Sequence, residues 1–412
     1  MSLYDGVQSQ IKQAYGYLAD KHSPNLLERL LWPDQVVEVS IPVAMDDGST
    51  KVFTGYRSQH NNTKWPYKGG IRFHPNVSKD EVMSLSAWMT LKTSVVGLPL
   101  GWGKGGIIVD PRELSEWELE RLSRWYINKI AKHIGPHTDV PAPDVNTNPQ
   151  IMAWMLDQYN TVTGVLSPGV ITGKPIALWW SLGRGSATSM GGRLVLNQYL
   201  ADTNQSIDGK TIAVQWAGNA WLIFADIATK HGAKVVAISD SKWAIYHADG
   251  LDIQAIQQLK QSRKSVVDYA ANCQKISNDE LLALGVDVLV PAALEEVIRE
   301  DNADTIQAQI VLELANGPVT PAADIILQNK NIVVIPDVLA NAGWVTVSYF
   351  EQVQNNANYY RSEQEVQQKL EDIMKPATQA VIQTADKHTI SLRMAAYVVS
   401  LDRILEAMEL LG

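Results

Sequence analysis

The chain reads as a two-domain α/β protein, a mixed α/β domain followed by a doubly wound one. Three observations predict this. The first 175 residues combine strands of period-two alternation with helices that open on capping boxes. Beyond about residue 175, short strands that are apolar throughout alternate with helices, the texture of a parallel sheet covered on both faces. Two long helical stretches, about 363–387 and 391–411, then close the chain and are expected to return to the first domain. The expected boundaries are 1–175 with about 363–412 for the first domain and 176–362 for the second.

The elements follow in order. Residues 3–22 carry apolar positions at helical spacing. Residues 35–43 (QVVEVSIPV) and 51–58 (KVFTGYRS) alternate about a DDGS turn and predict a hairpin. Ser78 with Glu81, and Ser115 with Glu118, mark the starts of helices reaching Val96 and about Lys132. A short strand is expected over 106–109 and a helix over 150–163. In the second half the strands are placed at 211–215, 234–238, 286–290, 310–313 and 332–335.

Composition narrows the function. Over 412 residues there are 35 Lys and Arg against 44 Asp and Glu, a formal charge of −9. An acidic surface speaks against broad binding to nucleic acid or an anionic membrane, which need a basic footprint. It leaves room for a local basic pocket. The single cysteine, Cys273, allows no disulfide within the chain and suits a reducing compartment; it has no neighbouring base to activate it. Neither a signal peptide nor a membrane-spanning apolar run is visible, so the expected location is the cytoplasm.

Three lysines stand in unusual settings. Lys68 lies in YKGGIRFHP (67–75), Lys92 in MTLKT (89–93) and Lys104 in PLGWGKGGI (99–107). Paired glycines beside Lys68 and Lys104 let other groups approach closely. Together the three suggest a pocket for a dicarboxylate, and crowding among cations lowers a lysine's pKa toward a range useful for acid–base chemistry. Asp144 follows two prolines that fix the backbone, in DVPAPDVNT (139–147). It reads equally as a proton carrier and as the cap of the helix that begins near Pro149.

The segment 211–215 (TIAVQ) is a strand, and a helix core follows at 224–230. The loop between them, WAGNAW (216–221), has the spacing of G-x-G-x-x-G but only the middle glycine, Gly218, followed by Asn219. Asp240 lies 22 residues beyond Gly218, at the end of the next strand, where a carboxylate binds the ribose 2′-hydroxyl of a dinucleotide. The second domain therefore reads as Rossmann-like. Asp240 favours NAD, whereas Ser241 and Lys242 beside it suit the 2′-phosphate of NADP.

Taken together, YKGGIRFHP, PLGWGKGGIIVDP (99–111), DVPAPDVNT, MAWMLDQY (152–159), GVITGKP (169–175), PAALEEVI (291–298), ANGPVTPAAD (315–324) and PDVLANAGWVTVSYFE (336–351) resemble the glutamate/leucine/phenylalanine/valine dehydrogenase family from about residue 30 onward. The resemblance implies reversible oxidative deamination of an amino acid with NAD or NADP, in a homohexamer. It implies that Lys104 polarises the oxygen at the α-carbon and activates water, and that Asp144 shuttles protons at the amino nitrogen. Lys92 would pair with the substrate α-carboxylate. Lys68 and Ser348 would hold a side-chain carboxylate, which points to L-glutamate and 2-oxoglutarate; an apolar residue at 68 would point to leucine or phenylalanine. Thr188, Asn316 and Asn341 would lie near the nicotinamide and its ribose. No metal is implied.

The departures from that pattern run in one direction. Tryptophan stands at 102, 179, 180, 216, 221 and 344, and at 65 and 243, where the family pattern has glycine. An indole at 216 or 221 fills the volume a pyrophosphate needs. Overpacking costs about 1–3 kcal/mol per site, so the set together approaches a domain's whole stability of about 5–15 kcal/mol. Two readings follow. In one, the codons are UGA read as glycine in the source cell, with UGG at the ordinary tryptophans 88 and 154. In the other, the tryptophans are real and the chain is a cofactor-blind relative serving as a structural or binding oligomer.

Overall fold

A computed structural model describes residues 2–215, 219–269 and 272–412, and it divides into two compact units. The first comprises Met1–Leu182, Val345–Val366 and Tyr397–Gly412, and the second Gly183–Trp344 and Gln367–Ala396.

In the first unit, α1 (Leu3–Tyr15) starts at Ser2, which forms a capping box with Asp5. It ends before Gly16, short of the expected residue 22, and the chain continues as hydrogen-bonded turns. Glycine disfavours helix by about 1 kcal/mol. There follow α2 (Pro24–Leu30), β1 (Gln35–Ala44), β2 (Thr50–Asn61), β3 (Tyr67–His74), α3 (Lys79–Val95), β4 (Trp102–Ile108), α4 (Glu116–Ile130), β5 (Asp139–Pro143) and α5 (Pro149–Thr163). The predicted hairpin is present as an antiparallel pair with Gln35 opposite Gln59. The five strands take the order β1-β2-β4-β3-β5. The pairs β1–β2 and β2–β4 are antiparallel, and β4–β3 and β3–β5 are parallel. Alternation along the strands delivers Ile41, Phe53, Ile71 and Ile107 to one core with Tyr126 and Met152 from α4 and α5.

Glycine is required where β3 and β4 converge. A Cβ on Gly69 would stand 1.5 Å from the carbonyl oxygen of Gly103. Beneath this contact, Arg57 on β2 and Asp139 on β5 are both fully buried. Arg57 donates from Nε to Asp139 Oδ2 at 2.8 Å, from Nη2 to Oδ1, and from Nη1 to the Gly69 carbonyl at 3.1 Å. This fork ties β2 to β5 across β4 and β3.

The second unit holds α6 (Ala187–Asp202), β6 (Thr211–Gln215), α7 (Asn219–Lys230), β7 (Lys234–Ser239), β8 (Ala244–Tyr246), α8 (Ile253–Gln261), β9 (Gln274–Ile276), α9 (Asn278–Leu282), β10 (Val288–Pro291), β11 (Ile310–Leu312), α10 (Pro321–Asn329), β12 (Val333–Ile335) and α11 (Asp337–Ala340). Its seven-stranded sheet runs β12-β11-β10-β6-β7-β8-β9. The five strands from β12 to β7 are parallel, and β8 and β9 are antiparallel additions. The strand order reverses between β6 and β10, which defines the crevice where open α/β sheets bind ligands.

Three helices remain: α12 (Gly343–Ala357), α13 (Glu363–His388) and α14 (Leu392–Leu411). Their division differs from the boundaries expected from sequence, since 345–366 belongs to the first unit and 367–396 to the second. Hydrogen bonding explains both. Ser348 and Glu351 on α12 bond to Thr172, Gly173 and Lys174 of the first unit. Arg393, at the start of α14, donates to both carboxylate oxygens of Glu313 and to Asp324 in the second. Among the described residues no helix is long and apolar enough to cross a membrane.

Removing one partner of a buried ion pair leaves the other charge uncompensated, at about 3–5 kcal/mol. Asp139→Asn is therefore expected to lower the unfolding free energy by that order, seen as a lower urea-unfolding midpoint. An unchanged midpoint would show that the Arg57 fork does not hold the sheet.

Candidate active site

The glycine-lined strands of the first unit assemble a cluster of charge. Lys104, on β4, is buried and donates from Nζ to Asp144 Oδ1 at 2.7 Å. Asp144 follows β5, which pairs in parallel with β3 and so brings the residue over that strand. A Cβ on Gly70 would lie 2.8 Å from the Asp144 Cβ, so glycine there leaves the room that Asp144 occupies. The sequence leaves two roles open for Asp144. The capping role belongs to Asn148, whose side chain accepts from the Ile151 N–H at 3.0 Å. Asp144 instead turns toward cations, and its second oxygen accepts from Arg72 Nε at 2.8 Å.

The electrostatics follow from that geometry. Burial alone would raise the Asp144 carboxyl, but the charges and hydrogen bonds of Lys104 and Arg72 outweigh it and hold the group well below its ordinary value. Burial lowers the Lys104 ammonium. Asp144 opposes the shift, Arg72 adds repulsion, and the net displacement is downward. The site thus pairs a carboxylate kept ionised with a lysine brought nearer to neutrality.

Beside it runs a second chain of polar groups. Lys68, buried on β3, donates to Thr172 Oγ1 at 2.8 Å and to the Val140 carbonyl at 3.2 Å. Thr172 Oγ1 lies 2.8 Å from Ser348 Oγ. Lys68 and Ser348 are therefore joined through a hydroxyl that sequence reasoning does not single out. Behind Thr172, the buried Glu351 accepts from the Gly173 N–H and from Lys174 Nζ at 2.9 Å. Lys92 sits half-buried in the last turn of α3, which packs on β2 and β4.

The second unit holds the residues expected to bind the dinucleotide. Thr188 is in the first turn of α6. Asn341 is buried, and its Nδ2 donates to the carbonyls of Leu314 and Ala315 and to Asn316 Oδ1 at 3.0 Å. Its Oδ1 is buried without a donor among the described residues, as is Gln215 Oε1 at the end of β6. Two unfilled buried acceptors, one at the end of β6 and one at the end of α11, fit the amide and hydroxyl donors of a nicotinamide nucleotide. Trp216 and Gly218 lie outside the described residues. Asn219 opens α7.

Asp240 follows the strand that the sequence predicts. It stands at the end of β7, but its carboxylate faces inward. Oδ1 accepts from the N–H groups of Lys242 and Trp243, and Oδ2 from Ser265 Oγ, the Val266 N–H and Lys260 Nζ. Five donors occupy both oxygens, and Ser241, Lys242 and Trp243 are exposed in that turn. Burial opposes these bonds, but together they lower the Asp240 carboxyl to about 2. Among the described residues no cluster of three or more His, Cys, Asp or Glu is arranged to hold a metal.

Some of the tryptophans at expected glycine positions sit where backbone or space is tight. Trp65 and Trp179 have φ of +44° and +69°, a region that bulky residues rarely enter. Trp102 is fully buried, its indole N–H against Thr93 Oγ1. The Trp180 indole N–H is buried with no partner among the described residues. Trp243 and Trp344 lie further out, beneath the cations of Lys275 and Arg184.

Similarity to known proteins extends over both units. Residues 33–161 match the dimerisation domain of the Glu/Leu/Phe/Val dehydrogenases, and residues 181–412 match the Glutamate/Leucine/Phenylalanine/Valine dehydrogenase domain. The chain belongs to that family. It is 48% identical to the NAD-specific glutamate dehydrogenase of Clostridioides difficile, over 100% of this chain and 98% of the relative. It is 46% identical to the NADP-specific glutamate dehydrogenase of a Synechocystis species, over 100% and 97%. Among solved structures, glutamate dehydrogenase from Peptoniphilus asaccharolyticus superposes with a TM-score of 0.90 at 41% identity, over the full length of both chains. A hetero-hexameric glutamate dehydrogenase from Thermus thermophilus gives 0.91 at 36%, over 100% of this chain and 97% of its own.

The Asp240 bonds carry a pH-dependent stability. The folded pKa of about 2 lies below the ordinary value of 3.8. The contribution is about 2 kcal/mol by linkage, and less after solvent screening. It is present above pH 3.8 and is lost as pH falls toward 2. Asp240→Asn is expected to destabilise by that order at neutral pH, in urea melts, with the gap to the parent narrowing below about pH 4. A gap that widens on acidification would contradict it.

Proposed function

We propose that the chain catalyses the reversible oxidative deamination of L-glutamate to 2-oxoglutarate and ammonium with NAD or NADP. The observation that carries this reading is the Lys104–Asp144 pair beside the Lys68–Thr172–Ser348 chain. Lys68 and Ser348 present a cation and a hydroxyl suited to a side-chain carboxylate, which favours glutamate over leucine or phenylalanine. Lys92 receives the α-carboxylate. Bound in this way, the α-amino nitrogen lies over Asp144, which accepts its proton as a carboxylate. Lys104 polarises the α-oxygen as an ammonium and activates the attacking water as an amine, and the lowering of its pKa by burial favours that exchange of protons.

The nicotinamide, when bound, takes up or returns the hydride at the α-carbon. Thr188, Asn316 and Asn341 would hold its carboxamide and ribose, and Gly218 and Asn219 the pyrophosphate. Asp240 braces the turn beside the adenosine ribose. Ser241 and Lys242 then make the contact there, an arrangement open to either coenzyme. The lone cysteine supports work in a reducing cytoplasm. The family relation supports a homohexamer.

We further infer that the tryptophans at 65, 102, 179, 180, 216, 221, 243 and 344 stand at positions that are glycine in the functioning protein, decoded from UGA. The positive φ at Trp65 and Trp179 and the enclosure of Trp102 support this. UGG at codon 216 in the source gene would exclude it there.

Three outcomes are expected. Glutamate should turn over far faster than leucine, and Lys68→Leu should reverse the preference; a parent that prefers leucine overturns the assignment of Lys68. Asp144→Asn should lose about 10²–10⁴-fold in kcat. Trp179→Gly should raise the thermal midpoint, because a left-handed L-residue carries about 1–2 kcal/mol of strain.

A further inference from the structure

Lys68, Gly70 and Arg72 alternate on β3 and therefore share one face. Lys68 lies at one end of that row and the gap left by Gly70 admits Asp144. Arg72 stands at the other end, and its guanidinium bridges two carboxylates. Nε donates to Asp144 Oδ2 at 2.8 Å and Nη1 donates to Glu81 Oε1 at 2.6 Å. Glu81 is in the first turn of α3, the helix that carries Lys92. Its other oxygen, Oε2, is buried with no partner among the described residues. Arg72, Asp144 and Glu81 are each about one-fifth exposed at the side chain, at 22%, 22% and 20%, and Lys104 is 6% exposed. The four groups form a line, Glu81–Arg72–Asp144–Lys104, in which charges alternate in sign.

We propose that Arg72 is a positioning residue for the acid–base pair: it fixes one oxygen of Asp144 so that the other is aimed at Lys104, and it places a permanent positive charge beside the pair. The proposal rests on the reading of Lys104 and Asp144 as that pair. A lysine in the place of Arg72 would keep the charge but could not reach both carboxylates with a rigid fork. The groups facing Lys104 and Asp144 fit this role. Burial lowers the Lys104 ammonium most, Asp144 and Glu81 raise it, and Arg72 lowers it. For Asp144, Lys104 and Arg72 act in the same direction, against burial. Arg72 thus keeps Asp144 ionised, and it also counters part of the rise that Asp144 would otherwise impose on Lys104. Removing Arg72 should raise both groups.

The test reads Lys104 directly. Competitive acetylation of the purified chain across pH, followed by peptide mass spectrometry, gives the neutral fraction of Lys104 without any need for turnover. In Arg72→Gln the reactivity of Lys104 at about pH 8 should fall on the order of tenfold, which is a one-unit rise in its midpoint. Arg72→Lys should stay within about twofold of the parent, because a cation remains near the pair. Glu81→Gln should move the midpoint the opposite way, since it removes a charge that offsets Arg72. Arg72→Gln that folds with the parent's circular dichroism and the parent's midpoint would overturn the proposal. If Arg72→Gln yields no folded protein, Glu81→Gln decides: a higher Lys104 reactivity supports the proposal and an unchanged or lower one refutes it. A chain that fails to turn over glutamate, yet shows these shifts, would count against the proposed reaction and not against the role of Arg72.

Discussion

The first unit is organised around one ion pair, Lys104 to Asp144. A lysine on β4 and an aspartate beyond β5 meet only because β3 lies between their strands and offers glycine at the two places where matter must be absent. Gly69 admits the Gly103 carbonyl and Gly70 admits Asp144. The surrounding charges are arranged to keep this pair poised. Arg72 holds the far side of Asp144, and the Arg57–Asp139 fork beneath ties β2 to β5. A desolvated pair of this kind is weak support for stability. In the proposed reaction its value is chemical, since it sets an ionised carboxylate beside a lysine of lowered pKa.

In the proposed reaction, substrate choice and acid–base chemistry depend on the same strand. Lys68 and Arg72 lie on one face of β3, one joined to Thr172 and Ser348 and the other to Asp144. Hydrogen bonds to a charged group contribute about 1.5–3 kcal/mol, so Thr172 does more than fill space. It orients Lys68 before any substrate arrives, which reduces the ordering cost of binding. In the second unit, the inward turn of Asp240 shows the opposite use of a carboxylate, as an internal brace.

Much of this is legible in the sequence, and the reasons are specific. β6 stands at 211–215, where the sequence predicts it, because a buried parallel strand has a continuous apolar centre, here Ile212, Ala213 and Val214. The capping box at Ser115 and Glu118 and the hairpin about Asp46–Ser49 are local signals, so they survive without knowledge of the fold. Lys68, Lys104 and Asp144 are visible through their glycine and proline settings. What cannot be read is every contact between distant segments: Thr172 under Lys68, Arg72 against Asp144, Arg57 against Asp139. The period-two spacing of Lys68, Gly70 and Arg72 is a signal for one of these. The tryptophans break the local rules at glycine positions, and that conflict is plain from the residue pattern alone. The positive φ of Trp179 gives it a geometric form.

What the first unit binds decides between these roles and a purely structural one, and a crystal structure of the chain with 2-oxoglutarate tests it without calling on the coenzyme. The expected result is a distal carboxylate on Lys68 Nζ and Ser348 Oγ, with the α-oxo oxygen within hydrogen-bonding distance of Lys104 Nζ. A distal carboxylate seated away from Lys68, or an α-oxo group turned from Lys104, would contradict it.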